Sequence, residues 1–73
     1  MTTHLSLGER LRAERQRLGL RQSDLAEMAG ISQATLSRIE SAGQLPTYGT
    51  LAALRKAGVD MARLMGPARP RRT

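Results

Sequence analysis

The stretch "GISQATLSRIES", residues 30–41, predicts a short amphipathic helix that begins just after a glycine turn. At 3.6 residues per turn, Leu36 and Ile39 share one side of this helix. The opposite side carries amide, methyl, hydroxyl and guanidinium groups and no acid, supplied by Gln33, Ala34, Ser37 and Arg38. The apolar side is expected to face a core, and the opposite side is either an ordinary solvated face or a contact surface.

The spacing of apolar residues around this stretch predicts an all-α protein, a compact bundle of five short helices. The predicted helices span residues 7–18, 22–29, 33–41, 48–57 and 61–65. Ser6 and Glu9 form a capping-box pattern before the first helix, and Ser32, Thr47 and Asp60 are N-cap candidates for the last three. No strand pattern occurs in the sequence.

Two of the predicted helices have apolar stripes that can be assigned residue by residue. In the second helix the stripe is formed by Leu25, Met28 and Ala29. In the fourth helix Leu51 and Leu54 form the stripe, and Tyr48 is a further candidate. The domain is therefore expected to cover residues 6–65, with an N-terminal tail at 1–5 and a basic, disordered tail at 66–73.

Composition restricts the kind of function that this chain can have. The 73 residues include 12 basic and 6 acidic ones, for a net charge of +6, which is typical of a nucleic-acid binder. Three of the arginines, Arg69, Arg71 and Arg72, lie in the predicted tail, so the domain itself is only mildly basic. The absence of Phe and Trp disfavours recognition of single strands or RNA by base stacking.

The sequence predicts no metal site, no membrane-spanning segment and no enzyme active site. It has no cysteine, and its single histidine, His4, lies in the N-terminal tail, so neither a metal site nor a cofactor is predicted. No segment approaches the length of a membrane span. Glu14, Asp24 and Glu27 are interpreted as helix-surface and first-turn acids, not as catalytic groups.

Residues 22–41 satisfy the requirements of two helices that cross steeply across a very short turn. Ala26 is a small residue where the helices would touch, and Gly30 tolerates a positive φ at the turn. Leu25 and Ile31 fill inner positions, and Ser32 caps the helix that follows at once. Together these features predict a helix-turn-helix.

The segment "LGERLRAERQRLGLRQSDLAEMAGISQATLSRIE", residues 7–40, resembles the DNA-binding domain of phage repressors and Cro proteins, the Xre family. The resemblance extends over about residues 5–65. It implies a lambda-repressor-like fold in which the third helix enters the major groove of double-stranded DNA. It also implies a homodimer that binds a two-fold symmetric operator.

The resemblance assigns roles to individual positions. It implies base contacts from the outward face of the third helix, at Gln33, Ala34, Ser37 and Arg38. Phosphate contacts are expected from four residues, Arg12, Arg21, Gln22 and Thr35; of these, Arg21 stands where relatives usually have a Ser or Thr cap. Arg15 and Glu40 match a pair that forms a buried salt bridge between the first and third helices.

Four residues near the end of the predicted domain are candidates for the dimer interface: Val59, Met61, Leu64 and Met65. A plain core role is the alternative for Met61, Leu64 and Met65. The preferred function is a cytoplasmic transcriptional regulator of bacterial or phage origin, most simply a repressor, associated with the nucleoid through its DNA. The alternative is an antitoxin or adaptor whose main role is to hold a partner protein such as a toxin, with DNA binding secondary.

Overall fold

The protein, seen here in a computed structural model, is described over residues 6–65, and five helices succeed one another in that range. They are α1 (Leu7–Arg17), α2 (Gln22–Ala29), α3 (Gln33–Ser41), α4 (Tyr48–Lys56) and α5 (Met61–Met65). The predicted bounds of α2, α3 and α5 are confirmed, while α1 and α4 each end one residue earlier than predicted. The predicted tails at 1–5 and 66–73, with His4 and the tail arginines, lie outside the described residues.

The predicted N-caps of α1, α3 and α4 are confirmed by their hydrogen bonds. Ser6 Oγ accepts from the Glu9 N–H at 3.1 Å, and Glu9 Oε1 accepts from the Ser6 N–H at 2.8 Å, which completes the capping box. Ser32 Oγ caps α3, and Thr47 Oγ1 caps α4. Each cap satisfies an N–H group that has no partner within its own helix.

The core is aliphatic and draws on all five helices. Its buried hydrophobic side chains are Leu11, Leu25, Ala26, Ala29, Leu36, Ile39, Leu54, Val59 and Leu64. Two predicted stripe residues are not part of it, since Met28 is 53% exposed and Tyr48 is 88% exposed. Because α2 buries Ala26 beside Leu25 and Ala29, its orientation turns Met28 toward solvent. Tyr48 lies about a quarter turn away from the line of Leu51 and Leu54.

Helices α1 and α3 are in close backbone contact at Gly8, which is buried. A Cβ atom at this position would overlap the carbonyl oxygen of Ile39 and lie 2.7 Å from that of Glu40. Only a glycine therefore allows the two backbones to come this close. The contact fixes the distance between α1 and the C-terminal half of α3.

The turn between α2 and α3 depends on Gly30, whose φ is +69°. This left-handed conformation suits glycine because it has no Cβ. The Ile31 N–H then donates to the Ala26 carbonyl oxygen at 3.0 Å, which closes the end of α2. Ser32 follows at once as the N-cap of α3, so the two helices are joined as the sequence predicted.

Candidate nucleic-acid interface

Helix α3 presents a polar face without acids on the side opposite the core. Leu36 and Ile39 are buried, whereas Gln33, Ala34 and Arg38 are exposed. Ser37, the fourth predicted base-contact residue, is half-buried. The structure thus brings the predicted residues to one side of α3. This face offers an amide, a methyl group and a guanidinium to a ligand.

The predicted ion pair between α1 and α3 is present. Arg15 Nε donates to Glu40 Oε2 at 2.8 Å, and Arg15 Nη2 donates to Glu40 Oε1 at 3.1 Å. Arg15 Nη1 also donates to the Leu20 carbonyl oxygen at 3.0 Å. The Glu40 side chain is almost fully buried, and two parallel hydrogen bonds from one guanidinium compensate for removing its charge from water.

Two glutamines extend this pair toward the exposed face of α3. Gln22 Nε2 donates to Glu40 Oε1 at 3.2 Å, and Gln33 Nε2 donates to Gln22 Oε1 at 3.3 Å. The four side chains form one continuous series of hydrogen bonds, which we call the Arg15–Gln33 network. It connects the buried α1–α3 contact to the exposed amide of Gln33. The direct bond between Gln22 and Glu40 was not anticipated from the sequence.

The predicted phosphate contacts lie near the first turns of α2 and α3 and on α1. Thr35 Oγ1 accepts from the Ser32 hydroxyl at 2.9 Å, so its own proton stays available to a phosphate oxygen. Arg12 on α1 is exposed. Gln22, as the first residue of α2, also carries a backbone N–H at a helix N-terminus, where anions are favoured.

Arg21 does not replace the missing side-chain cap of α2, because a guanidinium has no acceptor. Instead Asp24 Oδ2 accepts from the Arg21 backbone N–H at 3.0 Å and from Arg21 Nε at 3.1 Å. The side-chain hydrogen bond from Arg21 lowers the pKa of Asp24, and the same bond raises the pKa of Arg21. The pair is exposed, so its net contribution to stability is small and a phosphate can compete for the guanidinium.

The interpretation of Glu14 as a helix-surface acid is wrong, because Glu14 is only 3% exposed. Its carboxylate accepts two hydrogen bonds from Arg17, at 2.9 and 2.8 Å, and one from the Asp60 backbone N–H at 2.9 Å. The Arg17 hydrogen bonds outweigh burial and lower the pKa of Glu14 to about 2. A signal existed in the sequence, since residue 14 falls on the same helical stripe as Leu11 and Leu18.

The structure divides the predicted dimer-interface residues into two pairs. Val59 and Leu64 are 2% and 0% exposed and belong to the core, so Val59 is not an interface residue and Leu64 has the core role that was its alternative. Met61 is half-buried and Met65 is 55% exposed. These two help to line a shallow groove of about 310 Å³ between α4 and α5, which we call the α4–α5 groove. Its lining residues are Tyr48, Leu51, Ala52, Arg55, Met61 and Met65.

Residues 6–65 contain no metal-binding cluster and no membrane-spanning helix. No group of three or more His, Cys, Asp and Glu side chains in that range is placed to hold a metal ion. None of the helices there has both the length and the apolar character needed to cross a bilayer.

Comparison with known proteins identifies the family of this chain. A family model described as a helix-turn-helix domain matches residues 6–64, which include all five helices up to the penultimate residue of α5. The chain belongs to the helix-turn-helix domain family. The Arg15–Gln33 network and the exposed face of α3 therefore lie within the matched part of this helix-turn-helix domain.

Two related findings concern a single phage protein. The chain is 42% identical over 57 residues to repressor protein C2 of Salmonella phage P22, and the match covers 78% of this chain and 26% of that protein. The chain thus spans about a quarter of that repressor's length. The helix-turn-helix domain is also similar to the crystal structure of the P22 c2 repressor in complex with a synthetic operator. That match has a TM-score of 0.74 and 35% identity, and covers 84% of this chain and 94% of the other.

Proposed function

We propose that this protein is a sequence-specific transcriptional repressor that binds double-stranded DNA with α3 in the major groove. The observation that carries the proposal is the acid-free outer face of α3, whose Gln33 amide is held by the Arg15–Gln33 network. A restrained amide loses less conformational freedom on binding than a mobile one. The similarity to a repressor described in complex with an operator supports the same function.

Each exposed group of α3 has a matching partner on a base edge. Arg38 can donate two hydrogen bonds to guanine O6 and N7, and Gln33 can pair with adenine N6 and N7. Ala34 offers a methyl group that can contact the thymine methyl. Phosphate contacts from Arg21, Gln22 and Thr35, at the starts of α2 and α3, would set the register of the helix on the duplex.

A second copy of the chain is the proposed occupant of the α4–α5 groove. The groove is lined largely by aliphatic side chains, and Met65 and Tyr48 at its edge are exposed. A small domain with an aliphatic core gains stability when such a surface is covered. Two copies related by a two-fold axis would place two α3 helices in successive major grooves, about 34 Å apart.

The proposal is tested by selecting bound sequences from a random DNA library with the full chain. A palindromic site is expected, with half-sites about one helical turn apart and two chains bound per site. Binding to random DNA should be weaker by about 10³-fold or more at physiological salt. If selected and random DNA bind equally, the proposed function is refuted. A single chain on a single half-site would contradict the dimer and favour the adaptor alternative, with the groove left for a protein partner.

A further inference from the structure

The hydrogen bonds of the Arg15–Gln33 network all run in one direction, and the reason lies at the buried end. Arg15 has only donors, and the Glu40 carboxylate has only acceptors. Glu40 Oε2 accepts from Arg15 Nε, and Glu40 Oε1 accepts from both Arg15 Nη2 and Gln22 Nε2. Gln22 must therefore turn its nitrogen toward Glu40, since its oxygen would face another acceptor.

The orientation of the Gln22 amide in turn determines the orientation of the Gln33 amide. Because the Gln22 nitrogen faces Glu40, its Oε1 faces α3 and accepts from Gln33 Nε2 at 3.3 Å. The Gln33 amide then keeps its Oε1 acceptor and one remaining N–H donor for a ligand. If the Gln33 amide were turned the other way, its oxygen would accept from Gln22 and its two N–H groups would face a ligand.

We propose that Glu40 is a positioning residue that determines which purine Gln33 selects. The present orientation offers one acceptor and one donor, which matches the N6 donor and N7 acceptor of adenine. The reversed orientation offers two donors, which matches the O6 and N7 acceptors of guanine. A buried carboxylate that touches no DNA thus favours adenine over guanine at one base pair. This inference rests on the proposed function.

The substitution Glu40→Gln tests the direction of the network. Arg15 donates to both oxygens of Glu40, so either orientation of the new amide keeps one hydrogen bond from Arg15. With its oxygen at the Oε1 position the amide accepts from Gln22 as before; with its nitrogen there it donates to Gln22, which then reverses, and Gln33 offers two donors. Because both orientations become accessible, selection of bound DNA by this variant should show the adenine preference at one symmetric pair of positions fall by about tenfold, as guanine rises toward equal use. The other positions should keep their preferences.

Two further variants separate this effect from a loss of structure. Gln22→Leu breaks the network but leaves the Arg15–Glu40 pair, so the preference at the same position should flatten while the buried ion pair is kept. In the background of Gln33→Ala, adding Glu40→Gln should leave that position unchanged. Glu27→Gln removes the same charge from an exposed residue of α2 and should change no base preference. Circular dichroism and thermal unfolding establish that each variant is folded.

The outcomes distinguish this inference from the proposed function. If the original chain selects a defined site and folded Glu40→Gln selects the same site with unchanged preferences, the inference is overturned and the proposed function stands. The same holds if the change spreads over all positions, or if it persists when residue 33 is alanine. If the original chain selects no site, the proposed function itself has failed.

Discussion

The side chains on the candidate DNA surface differ in what each can offer a nucleic acid. Gln33 and Arg38 carry groups that fit base edges, whereas Arg21 carries a guanidinium beside a helix N-terminus. Base contacts change which sequence is bound, while phosphate contacts change the affinity for every sequence. Measurements on selected and on random DNA can therefore separate the two roles.

Arg38→Ala should weaken binding to the selected site by about 1–3 kcal/mol and relax specificity at one base pair. The physical reason is the loss of two hydrogen bonds to a guanine edge. Fluorescence anisotropy on a set of sites with single base changes measures both effects. Arg38→Lys is the matched control, since it keeps the charge but not the planar fork, and it should lose specificity with less loss on random DNA. An equal loss on selected and random DNA would remove the base-reading role.

Arg21→Ala should weaken binding to all sequences alike. It should also reduce the salt slope, the slope of log K against log salt concentration, by about one, because one fewer counterion is released on binding. Asp24→Asn provides a test in the opposite direction, because Asp24 holds the Arg21 guanidinium in an ion pair at 3.1 Å. Releasing that guanidinium should raise the affinity for every sequence. A salt slope that is the same in Arg21→Ala as in the original chain would contradict a phosphate contact.

At the scale of helices, the orientation of α3 depends on two contacts with α1. One is the close backbone approach at Gly8, and the other is the Arg15–Glu40 pair. A separate polar contact joins the end of α1 to the start of α5, where Glu14 accepts from the Asp60 N–H. Each of these contacts should affect the free energy of unfolding in its own measurable way.

Gly8→Ala should destabilise the fold by about 1–3 kcal/mol, because the new Cβ would overlap backbone atoms of α3 that cannot rotate away. This loss should exceed the gain of up to about 1 kcal/mol that alanine brings to a helix interior. Urea unfolding followed by circular dichroism measures the difference. Gly49→Ala in α4 is the matched control, since its nearest contact would be 3.9 Å away, and it should be neutral or stabilising. Equal stability of the Gly8→Ala variant and the original chain would refute the close contact.

Glu14 should make the stability of the fold depend on acid pH. Its pKa is lowered from 4.5 to about 2 in the folded protein, chiefly by the Arg17 hydrogen bonds. A lowered pKa means that the stabilisation is fully present above about 4.5 and is lost as the pH falls toward about 2. The original chain should therefore be more stable than Glu14→Gln near neutral pH, with the difference shrinking through that acid range. Denaturant unfolding at several pH values measures this, and a difference that does not vary with pH would contradict it.

For the whole molecule, two surfaces are proposed to work together. The outer face of α3 would bind DNA, and the α4–α5 groove would join two copies. Dimerisation would double the number of base contacts and make affinity depend on the spacing of two half-sites. Self-association and DNA binding should therefore be coupled.

Met65→Glu should weaken self-association by about tenfold or more, because it places a charge in an apolar contact. The matched control is Met28→Glu, since Met28 is 53% exposed and Met65 is 55% exposed, and Met28 lies on α2 outside the groove. Sedimentation equilibrium, alone and with the selected DNA, measures the association. If both variants associate as the original chain does, the groove is not the interface.

Much of the fold followed from local pattern. The helix positions, the caps at Ser6, Ser32 and Thr47, the turn at Gly30 and the outward face of α3 depend on residues within one or two turns of one another. Such relations can be read along the chain. The Arg15–Glu40 pair came instead from the family resemblance, since 25 residues separate the two partners.

What only the tertiary structure decided depends on segments that are distant in sequence. Periodicity did not show that Gly8 meets the backbone of α3, that Glu14 binds the start of α5, or that Val59 and Leu64 are core residues. The physical reason is that the burial of a residue depends on which neighbours pack around it in the folded chain, and not on its own type. For "GISQATLSRIES", the sequence by itself determined a helix with an acid-free outer face. Packing against α1 and α2 decided how the Gln33 amide on that face is held.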